Sequence, residues 1–219
     1  MPADSPTSRD ATGSASPAQP GAVRVFLAST NVGKLREYRE MAGAAMSIEL
    51  LPNFCDVPAF DESAPTFAEN AAGKALHYSR HAQGLVLADD SGLVVPALGG
   101  APGVQSARYA GPNASDADRY RKLLMEMETK EGDLRRAYFV CVIALARGGR
   151  AVAIVSDLAR GLVANEPTGS GGFGYDPVFL FPRLGRTFAE LSPSEKNLYS
   201  HRGRAFRKVV ELLTLQPAL

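Results

Sequence analysis

The apolar run Leu85-Val86-Leu87 passes directly into Ala88-Asp89-Asp90-Ser91-Gly92, so a buried strand is expected to end by presenting two adjacent carboxylates on a glycine-marked turn. Open α/β sheets bind ligands at the carboxyl ends of their strands. Two acids there can hold a hard divalent cation or take a proton from water. An Asp-rich turn is also an ordinary connector, so the choice rests on the remainder of the chain.

With 219 residues, 45% of them hydrophobic, the chain can build one large domain or two small lobes around a substantial core. A formal net charge of +1 argues against a broad nucleic-acid footprint but leaves room for a local anion pocket. Cys55 and Cys141 stand in unrelated contexts and form neither a CxxC nor a Cys/His pattern, so reduced thiols in a cytoplasmic protein are expected. No apolar run approaches the roughly 20 residues of a membrane span, and no signal-peptide core stands near Met1.

Residues 1–21 are rich in Pro, Ser, Ala, Thr and Gly and read as a disordered tail. The folded part is expected to begin with a strand at Val23–Ala28. A helix follows from about Val32 to Met46, with Leu35, Tyr38 and Met41 or Ala42 at helical spacing. Ile48–Leu51 reads as a second strand, and the proline-marked stretch 52–65 as a loop. Thr66-Phe67-Ala68-Glu69 has capping-box spacing and opens a helix to about Ala82. Leu85–Ala88 is the strand before the acid pair, and Asn113 to about Lys130 a further helix. Arg136–Leu145 and Ala151–Leu158 read as a hairpin over Arg147-Gly148-Gly149-Arg150. Two helical patterns close the chain, from about Ser194 and from about His201 to Leu213. Early alternation and a late hairpin imply an α/β fold with a mixed sheet.

Ser29-Thr30-Asn31-Val32-Gly33-Lys34 lies between the first strand and its helix. Open backbone N–H groups, the helix N-terminus and Lys34 make a phosphate cradle there. The GxxxxGK[ST] spacing is absent, and Ser, Thr and Asn are equally standard caps. Gly169-Ser170-Gly171-Gly172-Phe173-Gly174-Tyr175-Asp176 is harder to explain as structure alone, because its glycines cost backbone entropy. Phe173 and Tyr175 can stack on a planar base, and Asp176 can accept from a ring N–H. Ser192-Pro193-Ser194-Glu195 is another capping box, which leaves Lys196 in a first helical turn where anions are preferred. A phosphate or a carboxylate beside Lys196 would explain it. In one continuous helix Lys196 and His201 would point about 140° apart, so their convergence requires a break near Ser200. Asn70 and Lys74 share one helix face. Glu69 fits a capping acid. Glu62 either reaches a metal held by Asp90 or is a solvated loop charge.

Together these segments resemble the Ham1/inosine triphosphatase family. The matching pieces are Leu27–Lys34, Thr66–Ala71, Ala88–Leu93, Gly99–Val104, Ser106–Tyr109, and above all Gly171–Pro177 and Ser200–Gly203. They cover residues 23 to about 213, with a weak match over Val155–Val163. The resemblance implies an elongated mixed sheet flanked by helices, with two lobes bounding a cleft, and a pyrophosphatase domain over residues 22–219. It implies Mg²⁺-dependent hydrolysis of ITP, dITP or XTP to the monophosphate and pyrophosphate, usually by a homodimer. By resemblance, Asp90 is the general base and a metal-linked acid, and Glu62, from its place in the acidic loop, is the candidate second metal ligand. Ser29, Thr30, Asn31, Val32, Gly33 and Lys34 hold the triphosphate, with Lys74 touching phosphate and Ser91 the substrate. Phe173, Gly174, Tyr175 and Asp176 hold the base, assisted by Lys196, His201 and Arg202. Three rival readings compete with it: a pyrophosphatase of different base preference, a non-catalytic nucleotide sensor and a single-strand nucleic-acid binder. The retained Asp90, Glu62, Lys34 and Lys196 argue against the sensor, and the near-neutral charge against the nucleic-acid binder.

Overall fold

A computed structural model describes residues 23–43 and 46–216. The β-rich run at Val23 becomes β1 (Val23–Leu27), and the periodic segment after it becomes α1 (Val32–Ala42). There follow β2 (Met46–Leu50), α2 (Phe67–Ser79), β3 (Leu85–Val94), α3 (Asp116–Glu126), β4 (Arg136–Arg147) and β5 (Arg150–Val163). β6 (Phe179–Phe181), β7 (Arg186–Thr187), α4 (Pro193–Tyr199) and α5 (His201–Leu215) complete the order. The expected tail over residues 1–21 lies outside the described residues.

One seven-stranded sheet runs β2-β1-β3-β4-β5-β6-β7. β1 pairs in parallel with β2 and β3, and every later neighbour is antiparallel, which makes the sheet mixed as expected. The α1 stripe Leu35, Tyr38 and Ala42 buries against Val25, Leu27 and Ile48 of the sheet and Phe206, Val209 and Leu213 of α5. The Tyr38 and Phe206 rings meet edge-on at 5.1 Å. Phe206 is fully buried, and truncating it to Ala would cost roughly 3–5 kcal/mol. On the opposite face α2 packs Ala71, Ala75 and Tyr78 against Phe26, Val86 and Ala88.

The acid pair is not on a turn. β3 continues through it, with Asp89 opposite Ile143 and Asp90 opposite Val142 of β4, as far as Val94 opposite Tyr138. The antiparallel ladder outweighs the poor strand propensity of Asp. The parallel neighbour β1 stops earlier, pairing only Val25–Leu27 with Leu85–Leu87. Asp89 and Asp90 therefore sit beyond the carboxyl end of β1, where one side of β3 is open. Gly92 serves a close approach rather than a turn: a Cβ there would lie 2.3 Å from Ser106 Oγ and 2.5 Å from Gly103 O.

Other boundaries also shift. α1 ends at Ala42, and Met46 belongs to β2 rather than to the helix. α2 stops at Ser79, short of Ala82. α3 is shorter than the periodicity implied, because Ser115 caps it in a capping box with Asp118. β5 extends to Val163, beyond the expected Leu158. The expected helix break at Ser200 is present: Ser200 ends α4 and caps α5, its Oγ accepting from Gly203 N at 3.1 Å.

Candidate active site

Strand alternation sends successive β3 side chains to opposite faces. Leu85, Leu87 and Asp89 face α1 and α5, while Val86, Ala88 and Asp90 face α2. The neighbouring acids thus enter different environments.

Asp89 is fully buried. Its Oδ1 accepts from Lys34 Nζ at 2.9 Å, and Arg202 approaches Oδ2 at 3.5 Å. Burial alone would raise this carboxyl, but Lys34 and Arg202 outweigh it and hold the group far below the usual carboxylate range. Arg202 also donates to Glu37 Oε2 at 2.6 Å and to Ser91 Oγ at 2.9 Å. Lys196 donates to Glu37 Oε1 at 2.7 Å and to Asp176 Oδ2. A chain of alternating charge therefore runs from Lys34 through Asp89, Arg202, Glu37 and Lys196 to Asp176. Carboxylates, rather than a phosphate, explain the cation in the first turn of α4. Burial would push the Lys196 ammonium down, and Asp176 and Glu37 more than offset it.

Asp90 faces the other way. Asn70 Nδ2 donates to its Oδ2 at 3.0 Å, and Ser91 N donates to its Oδ1 at 2.9 Å. Asn70 is itself fixed to the backbone of Ala64. Burial raises the Asp90 carboxyl above its ordinary value and Glu62 pushes the same way, against the Asn70 hydrogen bond, Lys74 and Lys34. Glu62 Oε2 accepts from Lys74 Nζ at 2.7 Å. Thr66 Oγ1 caps α2 by accepting from Glu69 N at 3.2 Å and donates to Glu69 Oε2 at 2.6 Å, so the expected capping box is only half formed and Glu69 is held at the cap rather than in the cleft.

The loop after β1 is held by its own side chains. Ser29 Oγ accepts from Asn31 N at 3.1 Å, and Asn31 Oδ1 caps α1 by accepting from Lys34 N at 3.0 Å. Thr30, Val32 and Gly33 complete this wall of the cleft. A Cβ on Gly33 would lie 2.7 Å from the Phe173 ring, so the phosphate-type loop and the aromatic loop touch. The Phe173 ring lies under two cations, 4.8 Å from Lys196 Nζ and 5.3 Å from Arg202 Cζ. Tyr175 borders the cleft but is only 3% exposed, with its hydroxyl donating to Ser106 O at 2.9 Å. It anchors the loop rather than offering a stacking face. Asp176 is buried and accepts from Phe173 N at 2.8 Å. His201 stacks on Phe139 at 4.6 Å, and its Nδ1 is buried without a partner among the described residues. Burial first, then Arg202 and Lys196, push the imidazole well below its usual range, so it is neutral.

Every residue to which the resemblance gave a substrate, catalytic or metal role lines one cleft of about 700 Å³, large enough for a nucleotide, whereas Asp89, Asn70 and Glu69 lie outside its lining. Glu62, Lys74 and Asp90 stand on one wall, the Ser29–Lys34 loop on another, and the Phe173–Asp176 loop with Lys196, His201 and Arg202 closes the end. Sequence reasoning gave Glu37 no role and saw in Asp89 only half of a pair. The available signals were the placement of Glu37 beside Tyr38 on the buried stripe of α1 and the phase of Asp89 with Leu85 and Leu87.

A divalent cation fits the Asp90–Glu62 wall by its donor chemistry. Two carboxylates supply hard oxygens, one of them already under-compensated by burial. Among the described residues no cluster of three or more His, Cys, Asp or Glu is arranged to cage a metal.

A sequence model described as the Ham1 family matches residues 25–212. A dITP/XTP pyrophosphatase from Geobacillus kaustophilus is 47% identical over 188 residues, covering 85% of this chain and 92% of that relative. A dITP/XTP pyrophosphatase from Coxiella burnetii is 44% identical over 195 residues, covering 88% and 97%. The solved structure of a HAM1 protein from Coxiella burnetii superposes with a TM-score of 0.78 at 43% identity, covering 88% of this chain and 98% of that one.

Proposed function

The chain belongs to the Ham1 family, and we propose that it hydrolyses the non-standard purine nucleoside triphosphates ITP, dITP and XTP to monophosphate and pyrophosphate, clearing them from the nucleotide pool. The observation that carries this reading is the placement of Asp90. Its carboxylate lines the same cleft as a cation-bearing loop that suits phosphates and an aromatic, donor-lined end that suits a base.

A triphosphate repels an incoming nucleophile through its negative charge. Lys34, Lys74 and the α1 N-terminus counter that charge and orient the phosphate chain. Asp90, held by Asn70 and Ser91 N, takes a proton from water aimed at the α-phosphorus. Its raised affinity for a proton makes it a stronger base than an exposed carboxylate. When bound at Asp90 and Glu62, a cation would neutralise developing charge on the phosphoryl oxygens. We assign that cation as Mg²⁺, because two carboxylates plus phosphate oxygens are its usual complement.

Lys196 and Arg202 present only donors, which match the 6-oxo group of hypoxanthine and xanthine. The adenine 6-amino group is itself a donor and would face these cations without accepting from them, and such mismatches can discriminate by as much as about 10⁴. Among the described residues no helix is long and apolar enough to cross a membrane. With two unpaired cysteines and near-neutral charge, that supports a cytoplasmic enzyme that does not act on nucleic acid. The family resemblance supports a homodimer and a single catalytic domain over residues 22–219.

Hydrolysis of ITP in ¹⁸O-water tests the assigned attack. The label is expected in IMP, with unlabelled pyrophosphate released. Label in pyrophosphate, or inorganic phosphate with IDP, would overturn attack at the α-phosphorus.

A further inference from the structure

Helix α3 carries a side chain into the cleft that its own folding does not require. Ser115 and Asp118 already complete the capping box, with Ser115 Oγ accepting from Asp118 N at 3.2 Å and Asp118 Oδ2 from Ser115 N at 3.0 Å. Asp116, at the first helical position, is spare for that purpose. An acid there would ordinarily serve the helix dipole from solvent. Instead Asp116 Oδ2 accepts from Gly174 N at 2.6 Å, across 58 residues of sequence. Its other oxygen is clamped by Arg119 Nη1 at 2.6 Å, and Arg119 Nη2 is fixed on Ala114 O at 2.7 Å. Asp116 and Arg119 both line the cleft.

We propose that Asp116, clamped by Arg119, is a positioning residue for the Phe173–Asp176 loop and thereby sets how sharply the site separates one purine from another. The proposal rests on the reading of that loop as the base-holding element. Phe173 N is tied within the loop to Asp176, and Tyr175 Oη is tied to Ser106 O. Between them, Gly174 adopts φ +65°, the left-handed region, with nothing within 4 Å of where a Cβ would stand. The carbonyl of this peptide, Phe173 O, accepts from Asp176 N at 3.3 Å within the loop, while its N–H is held from outside the loop, by the charge-assisted hydrogen bond to Asp116 of α3. The peptide between Phe173 and Gly174 orients the Phe173 ring, which lies against Lys196 and Arg202. Releasing it lets the ring drift from the donors that read the 6-position.

The test compares wild type with Asp116→Ala, Asp116→Asn and Arg119→Ala, measuring kinetics on ITP and ATP, IMP affinity by calorimetry, and melting temperature. Asp116→Ala is expected to raise KM for ITP and weaken IMP binding about tenfold, with kcat within about twofold. The ITP:ATP ratio of kcat/KM falls and the melting temperature holds. Asp116→Asn keeps an acceptor oxygen and restores most of the loss, and Arg119→Ala is intermediate. With an active wild type, an unchanged KM and ratio in Asp116→Ala overturn the proposal. So does a loss of kcat that only tracks a loss of melting temperature. A wild type inert on ITP overturns the functional reading and this proposal together.

Discussion

The ammonium of Lys34 lies 2.9 Å from Oδ1 of Asp89, a carboxylate with no exposure to solvent. Arg202 shares the same acid, so one buried charge holds a cation of the phosphate loop and a cation of the base end. The two ends of the cleft are thereby set against a common reference. Asp89→Asn is expected to destabilise the fold by about 3 kcal/mol, because buried Arg202 and half-buried Lys34 lose a counter-charge. It should also raise KM for ITP. Urea unfolding and steady-state kinetics check this, and a wild-type midpoint would show that Lys34 and Arg202 find other partners.

Asp90→Asn should fold normally, since an amide can still meet Asn70 and the residue sits at the cleft wall. Loss of the base should lower kcat by about 10³-fold. Near-normal turnover would remove Asp90 from the role of base.

Lys196→Ala is expected to raise KM for ITP. Because it strips buried Asp176 of its cation and leaves Glu37 with Arg202 alone, it should also cost about 3 kcal/mol of stability. An unchanged KM in a destabilised protein would make Lys196 a structural cation only.

Stability should fall on mild acidification through His201. Its folded pKa is depressed by burial, so the unfolded chain binds the extra proton first. The contribution is complete above the unfolded value of about 6.5 and is lost as pH drops from there toward the folded value, at up to about 1.4 kcal/mol per pH unit. Asp89, also depressed, extends the loss into the carboxylate range below about pH 4. His201→Gln should remove the first part and leave the second, which urea midpoints from pH 7 to 3 would show. An identical slope in His201→Gln would contradict the assignment.

The local signals were readable because their causes are local. The Thr66 cap, the Gly148-Gly149 hairpin and the Ser200 break are fixed by residues within a few positions. The extension of β3 was not readable, because its ladder partner β4 lies some fifty residues on and outweighs what Asp-Asp-Ser-Gly prefers alone. Glu37 looks like any helix-surface charge until Lys196 and Arg202, 159 and 165 residues away, fold over it. Asp116 looks like a first-turn acid until Gly174 meets it. Residue types therefore identified the cleft, while the charge network behind it depended on contacts that only the tertiary fold creates.

The measurement that bears most directly on the whole account is pyrophosphate release from ITP, XTP, dITP, ATP and GTP, each with Mg²⁺ and with EDTA. The account predicts fast release from the first three, slow release from ATP and GTP, and none under EDTA. A folded protein that releases pyrophosphate from none of them, or from ATP as readily as from ITP, would contradict it.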